Sequence, residues 1–137
     1  MSLTAEIQIE IPFHDVDAMQ VVWHGHYIKY FEAVRGALLR TFNYDYPDME
    51  ESGYLWPVIE CKSRYISPAK YGMCVKAAAT LKEWENRLLI EYLLTDTDTG
   101  RKICKGHTVQ VAVNKKNGEM CLASPPVILK KIEAALA

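Results

Sequence analysis

The stretch His24-Gly25-His26-Tyr27-Ile28-Lys29-Tyr30-Phe31-Glu32-Ala33-Val34-Arg35-Gly36-Ala37-Leu38-Leu39-Arg40-Thr41-Phe42-Asn43-Tyr44 decides the fold. Tyr27, Phe31, Val34, Leu38 and Phe42 recur at spacings of three and four, one stripe of a helix about five turns long. Ile28, Ala37 and Leu39 widen the stripe, so burial around much of the circumference is expected. Gly36 costs about 1 kcal/mol against alanine in mid-helix, which the close approach of a sheet would explain.

Upstream, residues 6–13 alternate apolar and polar, the period of a half-buried strand. Pro12 confines that strand to an edge or marks its end. Downstream, after a loop over residues 47–53, strand patterns follow one another. Glu60, Lys62 and Arg64 share one face of a strand over 58–66, and Ile59, Cys61, Ser63 and Tyr65 the other. Val75, Ala77, Ala79 and Leu81 alternate with polar residues, as do Leu88, Ile90, Tyr92 and Leu94. Residues 103–113 form a further β-branched run, and short polar links over 85–86, 96–100 and 117–118 are hairpin signals. Ser124-Pro125 reads as the N-cap and first position of a short closing helix. The fold class is therefore α+β, one long helix laid on an antiparallel sheet. Its Val- and Ile-rich edges favour pairing with a second copy.

With 137 residues, half of them hydrophobic, the chain is expected to form one domain over 1–137. Sixteen basic against seventeen acidic residues leave a net charge of −1, which argues against a nucleic-acid partner. No apolar run approaches the ~18 residues of a membrane-spanning helix. Cys61, Cys74, Cys104 and Cys121 lie in strand-like stretches with no C-x-x-C pair. Buried, reduced thiols and a cytoplasmic location are the expectation.

The chemistry concentrates in Phe13-His14-Asp15-Val16-Asp17-Ala18-Met19-Gln20-Val21-Val22-Trp23-His24-Gly25-His26-Tyr27. Titratable groups crowd into a segment leading to a helix start, and such segments carry sites more often than strand middles do. A helix beginning near His24 points free N–H groups and the positive end of its dipole back at this loop, which suits an oxyanion. A carboxylate just upstream then serves as nucleophile or general base. In the plainer reading, Asp15 and Asp17 cap turns.

Asp15-Val16-Asp17-Ala18-x-x-Val21-Val22-Trp23-His24-x-x-Tyr27, continued by Tyr30-Phe31-Glu32-x-x-Arg35, resembles the signature of the 4-hydroxybenzoyl-CoA thioesterase family, including its Tol-Pal-associated branch. The resemblance extends through Arg64-Tyr65-Ile66-Ser67-Pro68-Ala69 to Val113. It implies a hotdog fold, an antiparallel sheet wrapped around one long central helix. It also implies homodimers or homotetramers with sites at subunit interfaces, and hydrolysis of an acyl-CoA to free acid and coenzyme A. Asp17 matches the family's catalytic carboxylate, and His24 the residue whose N–H polarises the thioester carbonyl. Tyr27 matches a site-lining tyrosine, Asp15 an acid that is not the nucleophile, and Glu32 is a second candidate carboxylate. Trp23 and Val58 are expected to line the acyl site. Where the family usually has Gly, this chain has Gln20, and glycine there would permit positive φ. Gln20 thus either reshapes the pocket mouth or offers an amide to the thioester. Met73 replaces an acid found in many relatives.

No metal or organic cofactor is expected, coenzyme A entering only as part of the substrate. His24 and His26, two apart, point to different sides of a helix. Residues 96–100 open like a calcium loop, but His107 stands where its bidentate Glu belongs. Glu32 and Arg35 suit a local ion pair, and His107 a structural role. Lys62, Arg64, Lys70, Lys82 and Arg87 are candidates for coenzyme A phosphates, which would lie on the surface because no Gly-rich phosphate loop exists. Hydrolysis of acyl groups on acyl carrier protein, and acyl-thioester binding without catalysis, are the other function classes that stay open.

Overall fold

The structure is a computed structural model that describes residues 3–137. Its strands are β1 (Thr4–Glu10), β2 (Tyr54–Leu55), β3 (Val58–Tyr65), β4 (Cys74–Glu83), β5 (Leu88–Asp96), β6 (Lys102–Gln110) and β7 (Val113–Asn114). Three helices, α1 (His26–Thr41), α2 (Tyr46–Glu51) and α3 (Pro126–Leu136), complete it. Five strands form one antiparallel sheet in the order β1-β4-β5-β6-β3, and β2 pairs with β7.

The expected stripe of α1 is buried from Tyr27 to Phe42, together with Leu39. Beneath it lie Val75, Ala77, Ala79 and Leu81 of β4 and Leu88, Ile90, Tyr92 and Leu94 of β5, all buried as their alternation requires. Phe31 stacks on Tyr92 with ring centroids 4.5 Å apart and planes 7° from parallel. Gly106 of β6 leaves room for this ring, since an added Cβ would lie 2.9 Å from Phe31 Cε2 and 2.1 Å from Lys62 O.

Several expectations are corrected. Helix α1 begins at His26, because the preceding residues form a turn in which His26 N–H bonds Trp23 O. It stops at Thr41, where Asn43 turns left-handed (φ 58°) and Tyr44 N–H returns to Leu39 O. Ile28 is exposed. The neighbour that an added Cβ at Gly36 would meet is the Arg40 guanidinium, 3.2 Å away, rather than a sheet. Part of the expected loop is α2, closed by a capping box between Asp45 and Asp48. The closing helix starts one residue late, with Pro125 as N-cap and Pro126 first.

The cysteines depart further from expectation. All four are free, but Cys104 alone is buried, and burial pushes its thiol up to about 11. Cys61 is exposed because β3 is an edge strand with one neighbour, β6. Val58, Ile59, Tyr65 and Ile66 are exposed along the same edge. No helix among the described residues is long and apolar enough to cross a membrane.

Candidate active site

Strand β1 ends before Pro12, and Phe13–Asp15 makes one 3₁₀ turn. The chain then doubles back in a tight hairpin. Val16 bridges Val22, Asp17 N–H donates to Val21 O at 2.9 Å, and Gln20 N–H donates to Asp17 O at 2.8 Å. Gln20 has φ 65°, the left-handed residue that follows such a turn in a bulged hairpin. The conformation for which glycine is suited is thus kept with glutamine in place.

Asp17 opens this turn. Its Oδ1 accepts Met19 N–H at 2.8 Å, while the other oxygen has no partner among the described residues. The turn therefore orients the carboxylate and leaves one oxygen free.

Asp15 is used differently. It is buried, accepting from Lys29 Nζ at 2.7 Å and Tyr30 Oη at 2.5 Å, with His26 Nε2 at 4.0 Å. Burial alone would raise its carboxyl, but the hydrogen bonds from Lys29 and Tyr30 and the Lys29 charge outweigh this and hold it below the usual range. Burial raises the Tyr30 phenol, and its bond to Asp15 adds to the rise. Asp15 also accepts Trp23 N–H on its backbone oxygen at 3.0 Å, so it ties both ends of the Asp17 hairpin to α1.

At the start of α1, His26 N–H bonds Trp23 O at 2.9 Å and Tyr27 N–H reaches His24 O at 3.4 Å. The N–H groups of His24 and Gly25 find no acceptor among the described residues. The Trp23 indole folds over Gly25, where a Cβ would come within 2.2 Å of the ring. The His24 ring lies 5.9 Å from the Tyr65 ring, and Tyr65 lies 5.6 Å from Tyr27. Tyr27 is buried, accepts Ala69 N–H at 3.3 Å, and has its phenol raised by burial. A carboxylate with a free oxygen and unpaired N–H groups at a helix start are the components for attack on, or water addition to, a carbonyl.

A cleft of about 650 Å³ opens beside Asp17 and Gln20, walled by Phe13, Met19, Lys70 and Tyr71. Phe13 and Tyr71 meet edge to face at 5.6 Å. Tyr71 is the wall that sequence reasoning missed; Phe13 and Met19 lie in the segment already singled out, and Lys70 is among the phosphate candidates. Phe13 continues the alternation of Ile7, Ile9 and Ile11 and so reads as strand, but after Pro12 the chain turns into the 3₁₀ segment and leaves Phe13 exposed. His26 turns toward Asp15 and His24 toward Tyr65, and no group of three His, Cys, Asp or Glu among the described residues could hold a metal ion.

The profile of the Thioesterase-like superfamily matches residues 11–133. The chain belongs to that superfamily. This thioesterase is 26% identical over 130 residues to a Synechocystis protein provisionally named an esterase, covering 90% of this chain and 75% of the relative. It is 35% identical over 65 residues, 47% of each chain, to a Bacillus subtilis protein provisionally named an acyl-CoA thioesterase. Among solved structures, the DHNA-CoA thioesterase from Staphylococcus aureus superposes with a TM-score of 0.84 at 21% identity, covering 97% of this chain and 88% of that one. The protein has the hotdog fold and is a thioester hydrolase.

The thioesterase chain does not gather all the expected residues in one place. Asp17 and Gln20 share the cleft, while Trp23, His24 and Tyr27 cluster with Tyr65 at the start of α1. Glu32 opens on a separate groove beside Lys29, Gly36 and Tyr46. Val58 begins β3 opposite Gln110. The expected Glu32–Arg35 pair is absent. Arg35 turns inward, donating to Tyr46 Oη at 2.8 Å and Tyr92 Oη at 3.4 Å, while Glu32 faces out. His107 bonds Glu60 at 2.6 Å.

Proposed function

We propose that this thioesterase hydrolyses acyl-CoA to a free acid and coenzyme A, with Asp17 as nucleophile or general base. The His24 N–H receives the oxyanion. Trp23, Tyr27, Gln20 and the apolar walls of the cleft hold the acyl end. The observation that supports this best is the Asp17 carboxylate, oriented by its own turn with one oxygen free, in the segment leading to unpaired N–H groups. No metal or organic cofactor is required, because a thiolate is already a good leaving group. The protein works in the cytoplasm, where its four thiols stay reduced. It works as a homodimer or homotetramer in which the exposed β3 edge pairs with a second copy and brings Val58 and Glu32 to a neighbour's site.

The test is loss of thioester absorbance across short, long and aromatic acyl-CoAs, for wild type beside Asp17→Asn. Turnover should fall about a thousandfold in the variant. Near-full turnover in a well-folded Asp17→Asn protein would remove Asp17 from the mechanism. Turnover confined to acyl groups on a carrier protein would replace coenzyme A as the substrate's handle. Light scattering that shows only monomer would remove the β3 pairing.

A further inference from the structure

Among the described residues, Gln20 and Asn43 are the non-glycine positions with positive φ. Asparagine visits that region readily, whereas a long side chain enters it at a cost. Strain of this kind points to function where the strained residue faces a site. Gln20 does so, lining the cleft of about 650 Å³ together with Asp17. The antiparallel bridge between Val21 and Lys70 brings a second polar side chain to the same cleft. Lys70 is held at its backbone by that bridge and by Met73 N–H, which donates to its carbonyl oxygen at 3.1 Å. Its ammonium has no acid within ion-pairing distance among the described residues, unlike those of Lys29, Lys76, Lys82 and Lys115. The Gln20 amide likewise makes no hydrogen bond there, unlike those of Gln8 and Gln110. Two unspent donors thus flank the one acid of the cleft, Asp17.

An acyl group that carries a second carboxylate would meet the Asp17 anion on entering this cleft. Two like charges about 4 Å apart repel by about 1 kcal/mol in bulk water. An ammonium beside them offsets that repulsion, and an amide N–H adds a donor to a carboxylate oxygen. A neutral acyl group gains neither effect. Phe13 and Tyr71, exposed and edge to face at 5.6 Å, offer an apolar surface for the body of such a group between its reacting carbonyl and its distal charge.

We propose that Gln20 and Lys70 form a subsite for a distal carboxylate on the acyl group, so that the substrate class is the thioester of a dicarboxylic acid. This rests on the acyl-CoA reading above and names its acyl half. The experiment measures kcat/KM for two matched pairs, 4-carboxybenzoyl-CoA beside 4-carbamoylbenzoyl-CoA and glutaryl-CoA beside glutaramoyl-CoA. Within each pair the shape is kept and the charge removed. Wild type should favour the carboxylate member of at least one pair. Lys70→Gln should lower that preference about fivefold, as befits an ion pair open to solvent. Lys70→Arg should keep it, Gln20→Gly should lower it less, and added salt should weaken it. Lys76→Ala, a charge loss on β4 away from the cleft, should leave it unchanged. No carboxylate preference in either pair, or one that survives Lys70→Gln, overturns the proposal. An equal loss on both members of a pair also overturns it, because Lys70 would then act on the coenzyme A that they share. Should wild type turn over no thioester, the acyl-CoA reading fails and calorimetry with the free acids decides this one. Terephthalate should then bind wild type more tightly than 4-carbamoylbenzoate, with the difference lost in Lys70→Gln, and equal binding of the two acids overturns the subsite.

Discussion

Tyr30 Oη on the second turn of α1 donates to Asp15 Oδ2 at 2.5 Å, fastening the loop that carries Asp17 to the helix whose preceding turn holds the unpaired His24 and Gly25 N–H groups. Asp15→Asn removes the charge held by Lys29 and should cost about 2 kcal/mol of stability at neutral pH. The folded-state pKa of Asp15 lies below its ordinary value, so the ion's contribution is fully present above about pH 4 and is lost as pH falls through the lower folded value. Urea denaturation of both proteins across pH should show the gap closing in acid. A gap independent of pH would mean that the variant acts through packing instead.

Gln20 occupies φ 65° with a full side chain. A left-handed L-residue costs roughly 1–2 kcal/mol, and glycine's extra freedom in the unfolded chain returns roughly 0.5–1 kcal/mol of that. Gln20→Gly should therefore stabilise the protein by about 0.5–1 kcal/mol, and Gln20→Ala should bring no such gain. Chemical denaturation midpoints at an unchanged m-value check this. Equal effects of Gly and Ala would show that the backbone there is unstrained.

How much was legible follows from what each signal depends on. The α1 stripe and the alternation of β4 and β5 come from burial against neighbours close in the fold, and residues such as Phe31 and Ile90 sit where their period puts them. The ends of α1 were less legible, because the Trp23–Gly25 turn and the left-handed Asn43 override propensities that would continue the helix. Arg35 and Glu32 were misjudged together: spacing on a helix face says that two side chains can meet, but not that a tyrosine from α2 and another from β5 will hold one of them first. The Asp17–His24 segment was readable because its groups are contiguous. Lys62 and Arg64 were likewise readable as neighbours on one strand face, but Lys105 joins them only through strand pairing.

Gly106 should not tolerate a side chain. A Cβ there would lie 2.1 Å from the Lys62 carbonyl oxygen, which is backbone and cannot step aside without breaking the β3–β6 ladder. Gly106→Ala should cost about 2–3 kcal/mol. Gly118→Ala, where nothing lies within 4 Å but φ is 72°, tests backbone strain alone and should cost about 1 kcal/mol. Thermal unfolding of the two variants separates a clash from strain, and a Gly106→Ala loss no larger than that of Gly118→Ala would show that the β3–β6 ladder yields to the added methyl.

Arg35 is buried with two tyrosine hydroxyls and no carboxylate within ion-pairing distance among the described residues. A guanidinium in such a place loses water that neutral hydroxyls replace only in part. Removing it strands little: Tyr92 Oη keeps Thr108 Oγ1 at 2.6 Å, and Tyr46 is exposed enough to find water. Arg35→Met keeps the length of the stem and should cost less than about 1 kcal/mol, or even stabilise the protein. Tyr92→Phe leaves the cation in place with one partner fewer and unstacks nothing from Phe31, so it should cost more, about 1–3 kcal/mol. Urea midpoints for the two variants give the order directly. A larger loss for Arg35→Met than for Tyr92→Phe would mean that the cation has a counter-charge in solution, one supplied by a second copy or a bound anion.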